Sequence, residues 1–185
     1  MKSVYMNWAG ILRYGLVLSI LFTIVILGSF ILEPMVWVPD FPEEVQQQVG
    51  ELPHDVLLKS LLVMFAVLGL TISFSIALIR HIVRQVPMHA VYINFVVNTF
   101  LMLTFMNLFD LFIVDWLIFG VFQPDFMIIK GAEEYIAETV TFGFHAFAFM
   151  KGQVWMLGIA LIVSTGYALA QRMLGQSRTT ARSSQ

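Results

Sequence analysis

Cysteine is absent from these 185 residues. That excludes structural disulfides, thiolate metal sites and any CxxC or other dithiol redox chemistry, whatever the compartment. Charge is scarce as well: 12% of residues are Asp, Glu, Lys or Arg, against about 25% in soluble domains. With a net charge of −2 and no basic run, nothing points to nucleic acid as a partner. The chain has no P-loop, GxSxG, HExxH or Rossmann fingerprint. A GxxxG helix-pairing motif is missing too, Gly69 and Gly158 standing alone. No cofactor is expected. Haem needs two axial histidines at one depth on facing helices. His81 and His89 share one turn, His54 and His145 could meet only beyond the apolar runs, and neither pair lies within one.

What the chain has is apolar length. Hydrophobic residues make up 59% of it, concentrated in runs at roughly 11–32, 57–79, 91–115 and 153–173. About 20 residues at 1.5 Å each cross roughly 30 Å of hydrocarbon, so each run is a candidate membrane span. Four spans leave no room for a separate soluble domain. The expectation is an all-α, four-helix transmembrane bundle over residues 1–175, with 176–185 as a disordered, Ser/Thr/Arg-rich tail. The first run is too long for a signal-peptide h-region, and Gly28-Ser29-Phe30 is a poor cleavage site, so it reads as an uncleaved span.

Basic residues near span ends stay cytoplasmic. Lys2, Arg13, Arg80, Arg84, Arg172, Arg178 and Arg182 fall on one side of the four spans; Lys59, Lys130 and Lys151 fall on the other. Both termini are therefore expected inside. The twelve carboxylates avoid the inner segments altogether. Tyr5, Trp8, Tyr92 and Tyr167 fall near the inner boundary, and Trp37, Trp116 and Trp155 near the outer one, as amphipathic rings prefer. The inner turn, 80–90, is short, so its flanking spans are antiparallel neighbours, and its Arg80, His81, Arg84 and His89 suit lipid phosphates.

The outer loop 33–56 carries Glu33, Asp40, Glu43, Glu44, Glu51 and Asp55, with prolines at 34, 39, 42 and 53. Pro42-Glu43-Glu44 reads as a short helix start, acidic residues suiting its positive end. The plain reading is a solvated loop; the sharper one is a cation or partner surface. Glu51-x-x-His54-Asp55 has metal-ligand residue types, but no second cluster in the loop completes a site.

The third run is unusual. Over 90–122 it embeds Asn94, Asn98, Asn107, Asp110 and Asp115, and it is long enough that it must tilt, kink or emerge. Entering near Val91, it carries Asp110 about 30 Å higher, to the outer hydrocarbon edge, with Asp115 and Trp116 in the interface. At 100° per residue, Asn107 and Asp110 share a face while Asn94 and Asn98 lie opposite, so no single polar stripe lines a pore. The plain reading is interhelical hydrogen bonding by the asparagines and an aspartate paired with Lys59, Lys130 or Lys151. The alternative is a proton- or cation-handling Asp110.

In 123–152, Glu134, Glu138, Thr141 and His145 fall on one helical stripe, with Ile136, Val140, Gly143 and Phe147 opposite. This predicts an amphipathic outer helix before the last span. Two carboxylates and an imidazole on one stripe could hold a divalent metal or relay protons; the plain alternative is a wetted face. Phe142, Phe144, Phe147 and Phe149 read as membrane-seated bulk.

The stretch from Asn107 through Asp110 to Asp115-Trp116, then Pro124-x-Phe126-x-Ile128, Gly131-Ala132-Glu133 and Phe144-His145, is similar to a group of uncharacterised bacterial four-span membrane proteins. That family has an Asp-rich third span ending in Asp-Trp, a Gly-Thr-Glu-type loop and an aromatic-His approach to the last span. The resemblance covers about residues 95–155. It implies the fold and a bacterial plasma membrane but no reaction, and it brings over Asp110, Asp115, Glu133 and His145 only as candidates. Ala132 stands where the pattern has Thr, which removes a hydroxyl from the loop.

Independently of that likeness, Asp110, Asp115, Glu133, Glu134, Glu138 and His145 all map to the outer end, with Lys130 and Lys151 to compensate them. They form either a salt-bridged cap or a shallow binding site. The leading expectation is a non-enzymatic membrane protein, a structural or accessory subunit associating with itself or a larger membrane complex. The chain is small for a repeat-built transporter. The alternatives are a cation or proton transporter or channel subunit using Asp110 and the outer carboxylates, and a membrane enzyme with an outer metal site at Glu134, Glu138 and His145.

Overall fold

The computed structural model describes residues 4–85, 91–129 and 131–183, and every regular element among them is helical. Asn7 opens α1 (Trp8–Leu32), its Oδ1 accepting from Gly10 N–H at 3.0 Å, because a short polar side chain satisfies an orphan donor of the first turn. A 3-10 helix (Pro34–Asp40) and the short α2 (Glu43–Val49) form the first long connection. The Pro-Glu-Glu helix start thus sits where the sequence placed it. Next come α3 (His54–Gln85) and α4 (Tyr92–Phe109), the latter continuing without interruption as a π-helix (Asp110–Phe122). A 3-10 turn (Asp125–Met127), α5 (Glu133–Thr139) and α6 (Phe142–Ser183) complete the chain. Helix α6 runs on past Gly175, through most of the segment read from the sequence as a disordered tail. His89 of the expected inner turn, and Lys130, lie outside the described residues.

Among the described residues, four helices are long and apolar enough to cross a membrane: Trp8–Leu32, His54–Gln85, Tyr92–Phe122 and Phe142–Leu174. The fourth starts earlier than expected because the phenylalanine-rich approach continues its helix. Cross-helix contacts fix the directions. Tyr14 meets His81 at one end of α1 and α3 while Glu33 meets Lys59 at the other, so these two run antiparallel. Tyr92–Thr165 and Thr104–Gln153 set α4 antiparallel to α6. Both long connections therefore cover one end, called here the cap end, and the start of α1 and the end of α6 lie at the other, the terminal end.

Helix α4 is central, packing mainly on α6 and α1. At the terminal end it shares a core with Ile11 and Leu18 of α1, Leu78, Ile79 and Ile82 of α3, and Val163 of α6. Lipid tails are as apolar as these side chains, so between membrane helices close fit and buried hydrogen bonds matter more than water exclusion. A second core ties the two connections together: Val38, Phe41 and Val45 pack against Ile129 and Ala132. Trp37 is pinned beneath this cap, stacked on Phe30 with ring centroids 5.6 Å apart and donating from Nε1 to Ser29 Oγ at 2.9 Å.

Helix α3 stands apart. Its buried residues are Val56 and then Thr71, Ser75, Leu78, Ile79 and Ile82; no residue in 57–70 is buried. Its terminal half is anchored in the bundle, and its cap half is splayed away.

The asparagines of α4 divide by face as their spacing requires. Asn94 and Asn98 turn to the segment preceding α1. Tyr5 N–H donates to Asn94 Oδ1 at 3.0 Å, Asn7 N–H donates to Asn98 Oδ1 at 2.7 Å, and Asn98 Nδ2 donates to Tyr5 O at 2.8 Å. The sequence suggested helix-to-helix bonds here. Instead these side chains satisfy extended backbone, which has no partners of its own in a membrane environment.

Candidate functional site

The other polar face of α4 builds a seam against α6. Thr104 Oγ1 donates to Gln153 Oε1 at 2.9 Å, and one turn on, Asn107 Nδ2 donates to the Phe149 carbonyl at 3.2 Å. Gly152 makes this approach possible: a Cβ there would lie 3.0 Å from Asn107 Nδ2. Asp110 follows, its Oδ1 enclosed and without a hydrogen-bond donor among the described residues. At the cap end of the seam, Asp115 Oδ1 lies 3.2 Å from His145 Nδ1.

The π-helix assembles this row. On an α-helix, positions 110 and 115 would be about 140° apart around the axis. Widening the turn to i→i+5 bonding brings residues five apart toward one face. The wide turn is visible where the helix closes, Gln123 N–H donating to Ile118 O at 2.8 Å. As a result Asp110 and Asp115 are turned toward one face of the helix. Sequence reasoning, which assumed 100° per residue throughout, could not find that pairing.

His145 is 7% exposed and packed beside the rings of Phe119 and Phe144. A break in the chain places it there. Helix α5 ends at Thr139, and Val140 leaves the helical region (φ −87°, ψ 73°). Thr141 then restarts the helix, its Oγ1 accepting from Phe144 N–H at 3.3 Å. The expected single stripe of Glu134, Glu138, Thr141 and His145 therefore does not form. Glu134 and Glu138 face solvent on α5, whereas His145 turns inward on α6. Glu133 is also exposed, its Oε2 accepting from Gly131 N–H at 2.8 Å. Gly131 has φ +87°, a conformation that suits a residue without Cβ. Ala132 is buried in the cap core, where a threonine would carry its hydroxyl among apolar side chains.

The expected cations also go elsewhere. Lys59 pairs with Glu33 at 3.2 Å and Asp55 at 3.0 Å, not with Asp110 or Asp115. Lys151 is exposed, as is Asp40. Partial desolvation still pushes the Asp40 carboxyl above the usual carboxylate range, with the Lys151 ammonium opposing it. Glu51 and His54 stay exposed, and among the described residues no three His, Asp or Glu side chains converge as metal ligands.

No family model, curated protein or solved structure matches this chain. The site has to be understood from its own geometry. Of the six candidate residues, Asp115 and His145 meet in the seam, Asp110 lies half-buried further along it, and Glu133, Glu134 and Glu138 remain on the surface of the cap. The seam's hydrogen bonds are modest, about 0.6 kcal/mol each by the average for membrane interiors. They fix the register of α4 on α6 more than they stabilise the fold. A carboxylate oxygen enclosed without a donor is different in kind: it is costly, and a proton or a cation would relieve it.

Proposed function

We propose that this chain is a small accessory subunit of a bacterial plasma membrane, with both termini cytoplasmic, that associates with itself or with a larger membrane complex. The observation that carries this reading is the unpartnered apolar face of α3. Leu58, Leu62 and Phe65, spaced along one side of the splayed half, are 59%, 59% and 61% exposed. Elsewhere some of the bundle's polar side chains bind helix to helix or cap to helix, Tyr92 with Thr165, Thr104 with Gln153 and Trp37 with Ser29 among them, which suits a scaffold. Orientation follows from the basic residues gathered toward the terminal end, Arg13, Arg80, Arg84 and Arg172 among them. The test is purification in a mild detergent from the native membrane, followed by mass measurement of the intact species. A homo-oligomer or a stoichiometric partner is expected, and Phe65→Asp should dissociate it. A monomer with no stoichiometric partner would contradict the reading.

A second reading rests on Asp110. Its enclosed oxygen, with the Asp115–His145 pair further along the seam, supports proton or cation handling at the cap end. In proteoliposomes it requires a proton or cation flux that Asp110→Asn abolishes and Glu138→Ala leaves intact. Absence of flux, or flux surviving Asp110→Asn, would discard it.

A further inference from the structure

The splayed half of α3 leaves a cleft between itself, α1 and the Pro34–Asp40 segment. Its main cavity has a volume of about 570 Å³, within the range of small-molecule sites. The cleft floor is apolar, with Val36 and Trp37 on one wall, Val63 and Val67 on the other, and Phe22 at the deep end. Along α3 the lining runs from Leu57 to Val67. At 1.5 Å per residue that is about 15 Å, half of the roughly 30 Å hydrocarbon thickness and hence one leaflet deep. Leu57, Leu61 and Met64 at its edge are exposed, so the cleft opens sideways, where a bilayer would lie.

Polar groups occur only at the cap end of this cavity. Asp40 and Ser60 line it. An acid and a hydroxyl donor together at the mouth of a leaflet-deep apolar slot complement a zwitterion. An ammonium group that can donate hydrogen bonds suits Asp40, and a phosphate can accept from the Ser60 hydroxyl. A quaternary ammonium has no N–H to donate. An anionic glycerol headgroup brings its phosphate to Ser60 but offers Asp40 no cation.

We propose that the cleft between α3 and the Pro34–Asp40 segment binds one zwitterionic phospholipid bearing a primary ammonium headgroup. One acyl chain lies along Val63 and Val67 toward Phe22, the ammonium meets Asp40, and the phosphate accepts from Ser60. Such a site holds whether or not the chain also has protein partners.

The test is native mass spectrometry of the full-length protein equilibrated with an equal mixture of phosphatidylethanolamine, phosphatidylcholine and phosphatidylglycerol of identical acyl chains. One phosphatidylethanolamine should be retained, with a preference over the other two of about tenfold, as one charge-assisted hydrogen bond supplies. Asp40→Asn should erase the headgroup preference while lipid still binds. Val63→Trp should fill the slot and expel the lipid, with circular dichroism confirming its helices; Val67→Phe serves if that variant misfolds. Retention of no lipid, equal retention of all three, or a preference that survives Asp40→Asn would overturn the proposal.

Discussion

At the scale of single residues, two side chains have consequences that can be measured. Asp40 is exposed as a residue, yet partial desolvation of its carboxyl holds it above the usual carboxylate range, so the folded protein keeps that proton somewhat more tightly than the unfolded chain. Stability from this group is therefore present at low pH and is lost as pH rises from about 4 through the raised value. In lipid-depleted micelles, Asp40→Asn should remove that loss, leaving the melting temperature at neutral pH equal or higher and its fall above pH 4 shallower. A lower melting temperature under those conditions would show that Asp40 is satisfied by the protein itself. Asn98 acts in the opposite sense. It is 0% exposed, accepts from Asn7 N–H and donates to the carbonyls of Tyr5 and Asn94. Asn98→Ala leaves buried backbone groups unpaired, at a cost of about 1–3 kcal/mol. Limited proteolysis should then cut near Tyr5 in the variant and not in the parent.

At the scale of elements, the apolar runs were legible because hydrocarbon thickness dictates their length. Trp8–Leu32 and His54–Gln85 contain the expected runs and extend them by less than two turns at either end. Three features were not legible. The π-helix leaves no local sequence signal, yet it alone aligns Asp110 with Asp115. The restart at Thr141 was hidden because Glu134, Glu138 and His145 keep helical spacing across it, although a threonine is a common first cap and could have marked it. The splay of α3 depends on what its neighbours leave uncovered, which no single run encodes. Helix pairing also turns on Gly152, whose missing Cβ admits Asn107. Gly152→Ala should strain the α4–α6 seam by about 1–3 kcal/mol, the usual cost of overpacking, and lower the melting temperature accordingly. A neutral effect would mean that Asn107 can withdraw without loss.

At the scale of the whole molecule, the two connections form one unit, because Val38, Phe41 and Val45 share a core with Ile129 and Ala132. The acidic surface above that core carries Glu43, Glu44, Glu133, Glu134 and Glu138, all exposed or half-exposed, while arginines gather toward the opposite end. That polarity is what the proposed orientation rests on. Because the chain contains no cysteine, single cysteines can be introduced and read without background. The most direct measurement is labelling of Glu43→Cys, Glu134→Cys and Arg172→Cys in intact spheroplasts with a membrane-impermeant maleimide. Modification at 43 and 134 but not at 172, with 172 reacting once the membrane is opened, is the predicted result. Labelling of 172 alone, or of 43 and 134 from opposite sides, would contradict a four-span bundle with its acidic cap outside.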